Sequence, residues 1–171
     1  MSESLTVGAA SAAKLEAAAE TLLAEANKLP EEAIGWKPAD DVWSVVEILG
    51  HVAEILPYWT GQVLRIIRQP HEQWGRNHAD AARLDAVQRA ASRTLADITA
   101  EIRAGVEAAA ATLRSLTDAE LAIEATSRNS RWGSKPASFV VDHLLIEHVN
   151  KHLGQMQRVA QAFRPCELKQ S

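Results

Sequence analysis

His148 and His152 lie four residues apart in the segment Leu144–Met156 (LLIEHVNKHLGQM). At helical spacing they fall on an apolar stripe of Val141, Leu145, His148, His152, Met156, Val159 and Phe163, with the steps of three or four residues that an amphipathic helix requires. Both imidazoles therefore occupy core-facing positions. A buried polar ring costs about 1–3 kcal/mol when its nitrogens find no partner. Two rings on successive turns can share one partner, and a divalent metal ion is the simplest candidate. A third ligand should come from a facing helix, and His51 is the candidate: it flanks Val52, with Ile48 and Ile55 a turn to either side. For His51 alone, an ordinary core histidine bonded to a carbonyl is the competing reading. For the pair, the spacing favours ligation. Three neutral imidazoles suit Zn²⁺, Ni²⁺, Fe²⁺ or Mn²⁺, and a three-ligand set leaves a coordination position open for water or substrate.

Helices must position these rings, and helical signals dominate the chain. The first helix is expected over residues 10–29, ended by Pro30. The second opens at Ser44-Val45-Val46-Glu47, a capping box in which Ser and Glu reciprocally satisfy free backbone donors. Its stripe runs Val45, Leu49, Val52, Leu56, Trp59, Val63 and Ile66, with a kink expected at Pro57. A third and longest helix is expected over residues 81–116, and a fourth over 137–163. Polar connections at 69–80 and 117–136 separate them. Four helices with one apolar face each bury those faces together only as a bundle, so the fold class is all-α. Two long connections argue against plain up-down-up-down order, since a long crossover lets consecutive helices run parallel. The expectation is one domain spanning 1–171, ordered over about 8–164.

Composition narrows the function classes. The formal net charge is -4, and arginines such as Arg83, Arg89, Arg93, Arg103 and Arg114 are dispersed among acids. This is unlike the clustered basic face of a nucleic-acid binder. The start, MSESLTV, lacks the cationic and apolar regions of a signal peptide, and no apolar run reaches the ~20 residues of a membrane span. The single Cys166 permits no internal disulfide, which fits a cytoplasmic location.

The segment Trp43–Glu54 (WSVVEILGHVAE) resembles the second-helix signature of the DinB-like superfamily, and His148-xxx-His152-Leu153-Gly154-Gln155 resembles its fourth-helix signature. The first and third helices match only as helices in the right places. The resemblance implies a four-helix bundle with up-down-down-up topology and a divalent-metal site made by His51, His148 and His152. Characterised relatives include metal-dependent transferases that use low-molecular-weight thiols, a thiol-dependent isomerase and proposed hydrolases. The expectation is thus a metal-dependent enzyme acting on small molecules through zinc or nickel, with iron or manganese as alternatives. A non-enzymatic metal- or ligand-binding bundle is the competing function. Relatives are often dimers, and the alanine-rich stretches Ala17–Ala19 and Ala108–Ala111 would permit close helix contact, so a homodimer is expected.

Other residues have less defined roles. Glu54, one turn after His51, could orient a ligand or move a proton; a half-exposed carboxylate at the bundle end is the alternative. Val149 stands where a zinc protease would carry its glutamate, so that catalytic base is absent. Tyr58 is read as core packing or a pocket wall, and Gln155 as a partner for a ligand or for bound water. Gly154 permits close helix approach. His143 is placed well round the helix, beside Glu147, in solvent or behind the ligands. His71 and His78 lie in a connection, with a minor expectation of reaching the site. Cys166 has no local base and is not read as a nucleophile. Trp36, Trp74 and Trp132 are expected to cover bundle ends or rim a site.

Overall fold

A computed structural model describes residues 5–77 and 79–163. Its helices are α1 (Val7–Asn27), α2 (Glu31–Ile34), α3 (Val45–Arg68), α4 (Ala81–Ala90), α5 (Leu95–Ser115), α6 (Asp118–Leu121), α7 (Ala137–Phe139) and α8 (Glu147–Ala162). Strands β1 (Glu124–Thr126) and β2 (Ser134–Pro136) form an antiparallel hairpin, with Ala125 opposite Lys135. A π-helical stretch, Val140–Ile146, joins α7 to α8 without a break.

Helices α1, α3, α5 and α8 enclose the core, with α1 and α3 each packed between α5 and α8. Gly8 abuts Leu113, and Glu20 pairs with Arg103, so α1 and α5 run antiparallel. Leu56 packs on Gly105, while Gly50 and Ala53 share a groove with Glu101, so α3 and α5 run parallel. Trp43, just before α3, faces His152, and His51 within it faces His148, so α3 and α8 are antiparallel. The order is up-down-down-up, as expected. The first long connection supplies the crossover between the parallel helices. The second forms the hairpin instead.

The capping box forms as read: Ser44 N–H donates to Glu47 Oε2 at 2.7 Å, and Glu47 N–H to Ser44 Oγ at 3.3 Å. It fixes the start of α3 two turns before His51. Helix α3 continues through Pro57, so the proline does not end it; its exposed position keeps the ring out of the core. The expected third helix is two. Between α4 and α5, Thr94 caps a new start by accepting from Asp97 N–H at 3.1 Å. Leu84 and Ala91, placed on the apolar stripe by periodicity, are exposed. Burial is decided by the docking of α4 on α3, where Val87 and Ala90 face inward.

Gly50 makes that docking possible. A Cβ at this position would lie 2.2 Å from Ala90 Cβ, and neither backbone can yield easily. Gly50→Ala is therefore expected to displace α4 and cost about 1–3 kcal/mol, read as a lower denaturant midpoint. An unchanged midpoint would contradict this packing.

Trp74 ties the first connection to the hairpin. Fully buried, it donates from Nε1 to the Ala125 carbonyl at 2.8 Å, and its backbone exchanges bonds with Thr126 and Arg128. Gly75 follows at φ +84°, a left-handed turn that favours glycine. Among the described residues no helix is long and apolar enough to cross a membrane.

Candidate metal centre

The capped start of α3 and the apolar stripe of α8 bring His51, His148 and His152 together. Ring centroids are 5.4 Å apart for His51 and His148, 4.8 Å for His51 and His152, and 4.8 Å for the α8 pair. One ring nitrogen from each lies within 4.8 Å of the others. His51 is 1% exposed and His152 8% exposed, while His148 is half-buried. Trp43 closes one side, its ring 5.3 Å from that of His51.

Neighbouring oxygens set the tautomers. His148 Nδ1 lies 3.3 Å from the Leu144 carbonyl, and His152 Nδ1 lies 2.9 Å from Gln155 Oε1. Both oxygens only accept, so both Nδ1 atoms carry the proton and both Nε2 atoms keep a lone pair. His152 Nε2 and His51 Nδ1 are buried with no hydrogen-bond partner. An unsatisfied, buried His152 Nε2 at a convergence of three imidazoles is what a divalent ion would relieve, while His51 Nδ1 lies on the side of Glu54; these residues fit such an ion.

Burial holds the rings neutral. It pushes His51 down to about 2, reinforced by His152 and His148, and His148 down to about 4, reinforced by His152. Burial lowers His152 as well. Neutral rings have no proton to release to an incoming ion, so affinity is expected to fall less between about pH 7.5 and about pH 6 than it would for ordinary histidines. Ordinary histidines, near 6.5, would lose affinity over that range. In metal-free protein the unfolded chain binds these protons first. The stability is fully present above about pH 6.5 and lost as pH falls toward the folded values, at about 1.4 kcal/mol per pH unit for each ring protonated only in the unfolded chain. Competitive metal titration and denaturant melts across pH check both expectations.

Glu54 is not a free base. Both its oxygens bind the Arg76 guanidinium at 2.6 Å, and its Oε2 lies 3.7 Å from His51 Nδ1, beyond hydrogen-bond length. Arg76 also reaches Asp80 at 3.3 Å and stacks 3.8 Å over Tyr58. Tyr58 thus lines a neighbouring groove and is absent from the walls of the histidine cavity.

That cavity encloses about 290 Å³, and its walls include Trp59, Arg76, Trp132, His143 and Lys151. His143 was expected far round the helix from His148. Five residues of α-helix would indeed turn them ~140° apart. The π-helical stretch, with its i→i+5 bonding, brings both to the cavity, and His143 Nδ1 pairs with Glu147 Oε2 at 2.7 Å. His71 is not among the cavity walls, Trp36 packs on Phe163, and His78 and Cys166 lie outside the described residues. Sequence reading missed Arg76, Asn77, Asn129 and Arg131. They come from the two connections, and only tertiary docking through Trp74 brings them to the site.

A sequence model of the DinB superfamily matches residues 14–156. No curated protein matches. Among solved structures, YfiT from Bacillus subtilis, described as a probable metal-dependent hydrolase with an unusual four-helix bundle topology, superposes with TM-score 0.76 at 13% identity, covering 94% of this chain and 91% of its own. A mycothiol-dependent maleylpyruvate isomerase superposes with TM-score 0.68 at 12% identity; 85% of this chain is covered, and it spans 59% of that protein. An uncharacterized protein from Clostridium difficile 630 superposes with TM-score 0.60 at 15% identity, covering 86% of this chain and 92% of its own.

Proposed function

Because this chain belongs to the DinB superfamily, and because three neutral imidazoles converge at one cavity, we propose that it is a divalent-metal-dependent enzyme acting on small molecules, of the low-molecular-weight-thiol S-transferase or hydrolase type. The carrying observation is the convergence of the three imidazoles, with the buried His152 Nε2 left unpartnered. The neighbours described as a metal-dependent hydrolase and a thiol-dependent isomerase support the reaction class.

His51, His148 and His152 would hold the ion, with zinc or nickel the first candidates and iron or manganese next. A divalent ion there supplies Lewis acidity, making a thiol or water a better nucleophile near neutral pH. The chain's own residues do the rest. The Leu144 carbonyl and Gln155 Oε1 fix the ring orientations of His148 and His152, which raises ligand basicity. Trp43 packs beside two of the rings. With Glu54 clamped, the group best placed to move a proton at the cavity is His143, whose Nδ1 is bound by Glu147 and whose Nε2 remains available.

The test is to load metal-free protein separately with Zn²⁺, Ni²⁺, Mn²⁺ and Fe²⁺ and assay thiol transfer and hydrolysis across a broad substrate panel. Turnover with at least one ion, lost on chelation, is expected. One ion per chain with no turnover would replace the enzyme reading with that of a metal- or ligand-binding bundle.

A further inference from the structure

The chain carries a net charge of -4, yet the cavity above the histidines has the opposite character. Arg83, Arg131 and Lys151 line it, as does Arg76, whose guanidinium is held by Glu54 and Asp80; among the described residues Glu147, engaged with His143, is the one carboxylate in its walls. The neutral polar groups lean the same way. Asn77 Oδ1 accepts from Ala79 N–H at 3.0 Å, and Asn129 Oδ1 accepts from Arg131 N–H at 3.1 Å. With both oxygens occupied, each asparagine has its NH₂ left to offer. Two further N–H groups in wall residues, Trp59 Nε1 and Arg76 Nε, are buried with no acceptor among the described residues. The wall is rich in donors and poor in acceptors.

We propose that this wall is a subsite for an oxyanion, a carboxylate or phosphate, carried by the small molecule that reaches the histidines. Guanidinium, ammonium and amide N–H groups bind oxyanions through charge-assisted bonds. A cationic cleft in an acidic protein also concentrates anions locally. Arg131 and Lys151, exposed on different elements, form the rim that first meets the ligand. The proposal deepens the enzymatic reading above and takes from it the identity of the ligand as substrate; the wall's preference for an oxyanion stands on the donor pattern alone.

Calorimetric titrations with succinate, inorganic phosphate and uncharged succinamide test it, using metal-loaded and metal-free protein and a R131Q/K151Q variant whose exposed side chains can be changed without unfolding the chain. At least one oxyanion should bind tenfold or more tightly than succinamide with or without metal. The variant should lose at least tenfold, and added salt should weaken the wild type. Whichever of succinate and phosphate binds more tightly names the group. Succinamide binding equal to both oxyanions, or unchanged oxyanion affinity in the variant, overturns the subsite. So does an oxyanion held only by the loaded protein and indifferent to the variant, since it would sit on the ion itself. Conversely, protein that takes up no metal but keeps the oxyanion preference would defeat the metal reading and leave the subsite standing.

Discussion

Replacing His152 by leucine is expected to weaken divalent-ion binding by more than ~100-fold, beyond the usual cost of losing an outer partner of a ligand, while leaving metal-free protein at least as stable as the wild type. The two halves have different causes. His152 is buried, and its Nε2 has no protein partner. Without an ion the desolvation of Nε2 is uncompensated, at about 1–3 kcal/mol; leucine removes that cost, at the loss of the Nδ1 bond to Gln155, and fits the stripe between Val149 and Met156. With an ion, a third of the ligand set disappears. Thermal melts in chelator and in saturating Zn²⁺ separate the effects. Wild type should gain about 2.7 kcal/mol at an ion concentration one hundred times its dissociation constant, and His152→Leu should gain almost nothing. A variant that keeps the metal-induced shift would remove His152 from the site.

The second large effect concerns Glu54 and Arg76. Their side chains are 17% and 7% exposed and joined by two bonds of 2.6 Å. Glu54→Ala leaves a largely buried guanidinium with Asp80 as its remaining carboxylate, at a cost of about 3 kcal/mol, the low end for breaking a buried pair because Glu54 keeps some water contact. Replacing both, as Glu54→Leu with Arg76→Met, should recover most of that loss, because the desolvation of both charges disappears with the pair. Urea melts of the two single variants and the double variant give the coupling. A double variant as unstable as the sum of the singles would mean that the pair is not the unit that matters.

The parts of this fold written in local patterns were legible. Ser44 and Glu47 announce the start of α3 because a capping box is a short-range exchange of bonds. The histidine pair announces itself because polar rings on an apolar stripe need a reason. The break before Thr94 went unread: no glycine or proline marks it, Leu84, Ala91 and Leu95 continue the apolar spacing across it, and its one local mark is the capping pattern Thr94-Leu95-Ala96-Asp97. There, docking of α4 against Gly50 overrides periodicity. The three-residue strands are too short to show alternation, and their pairing depends on Trp74, some fifty residues earlier. The π-helical stretch carries no sequence signature, so the exposed pairing of His143 with Glu147 was legible but its place in the cavity wall was not. Glu54 and Tyr58 were read without Arg76, whose approach from a distant connection engages both side chains. Convergence of connections is a long-range outcome, and in this protein it shapes the cavity more than the ligands do.

The most direct test is metal analysis of the purified protein beside His51→Ala, since His51 would be the ligand contributed across the bundle from α3. One divalent ion per chain in the wild type, absent from the variant while its helical content is retained, is the predicted result. A wild type that takes up no ion, or a variant that keeps full occupancy, would contradict a centre built from these three histidines.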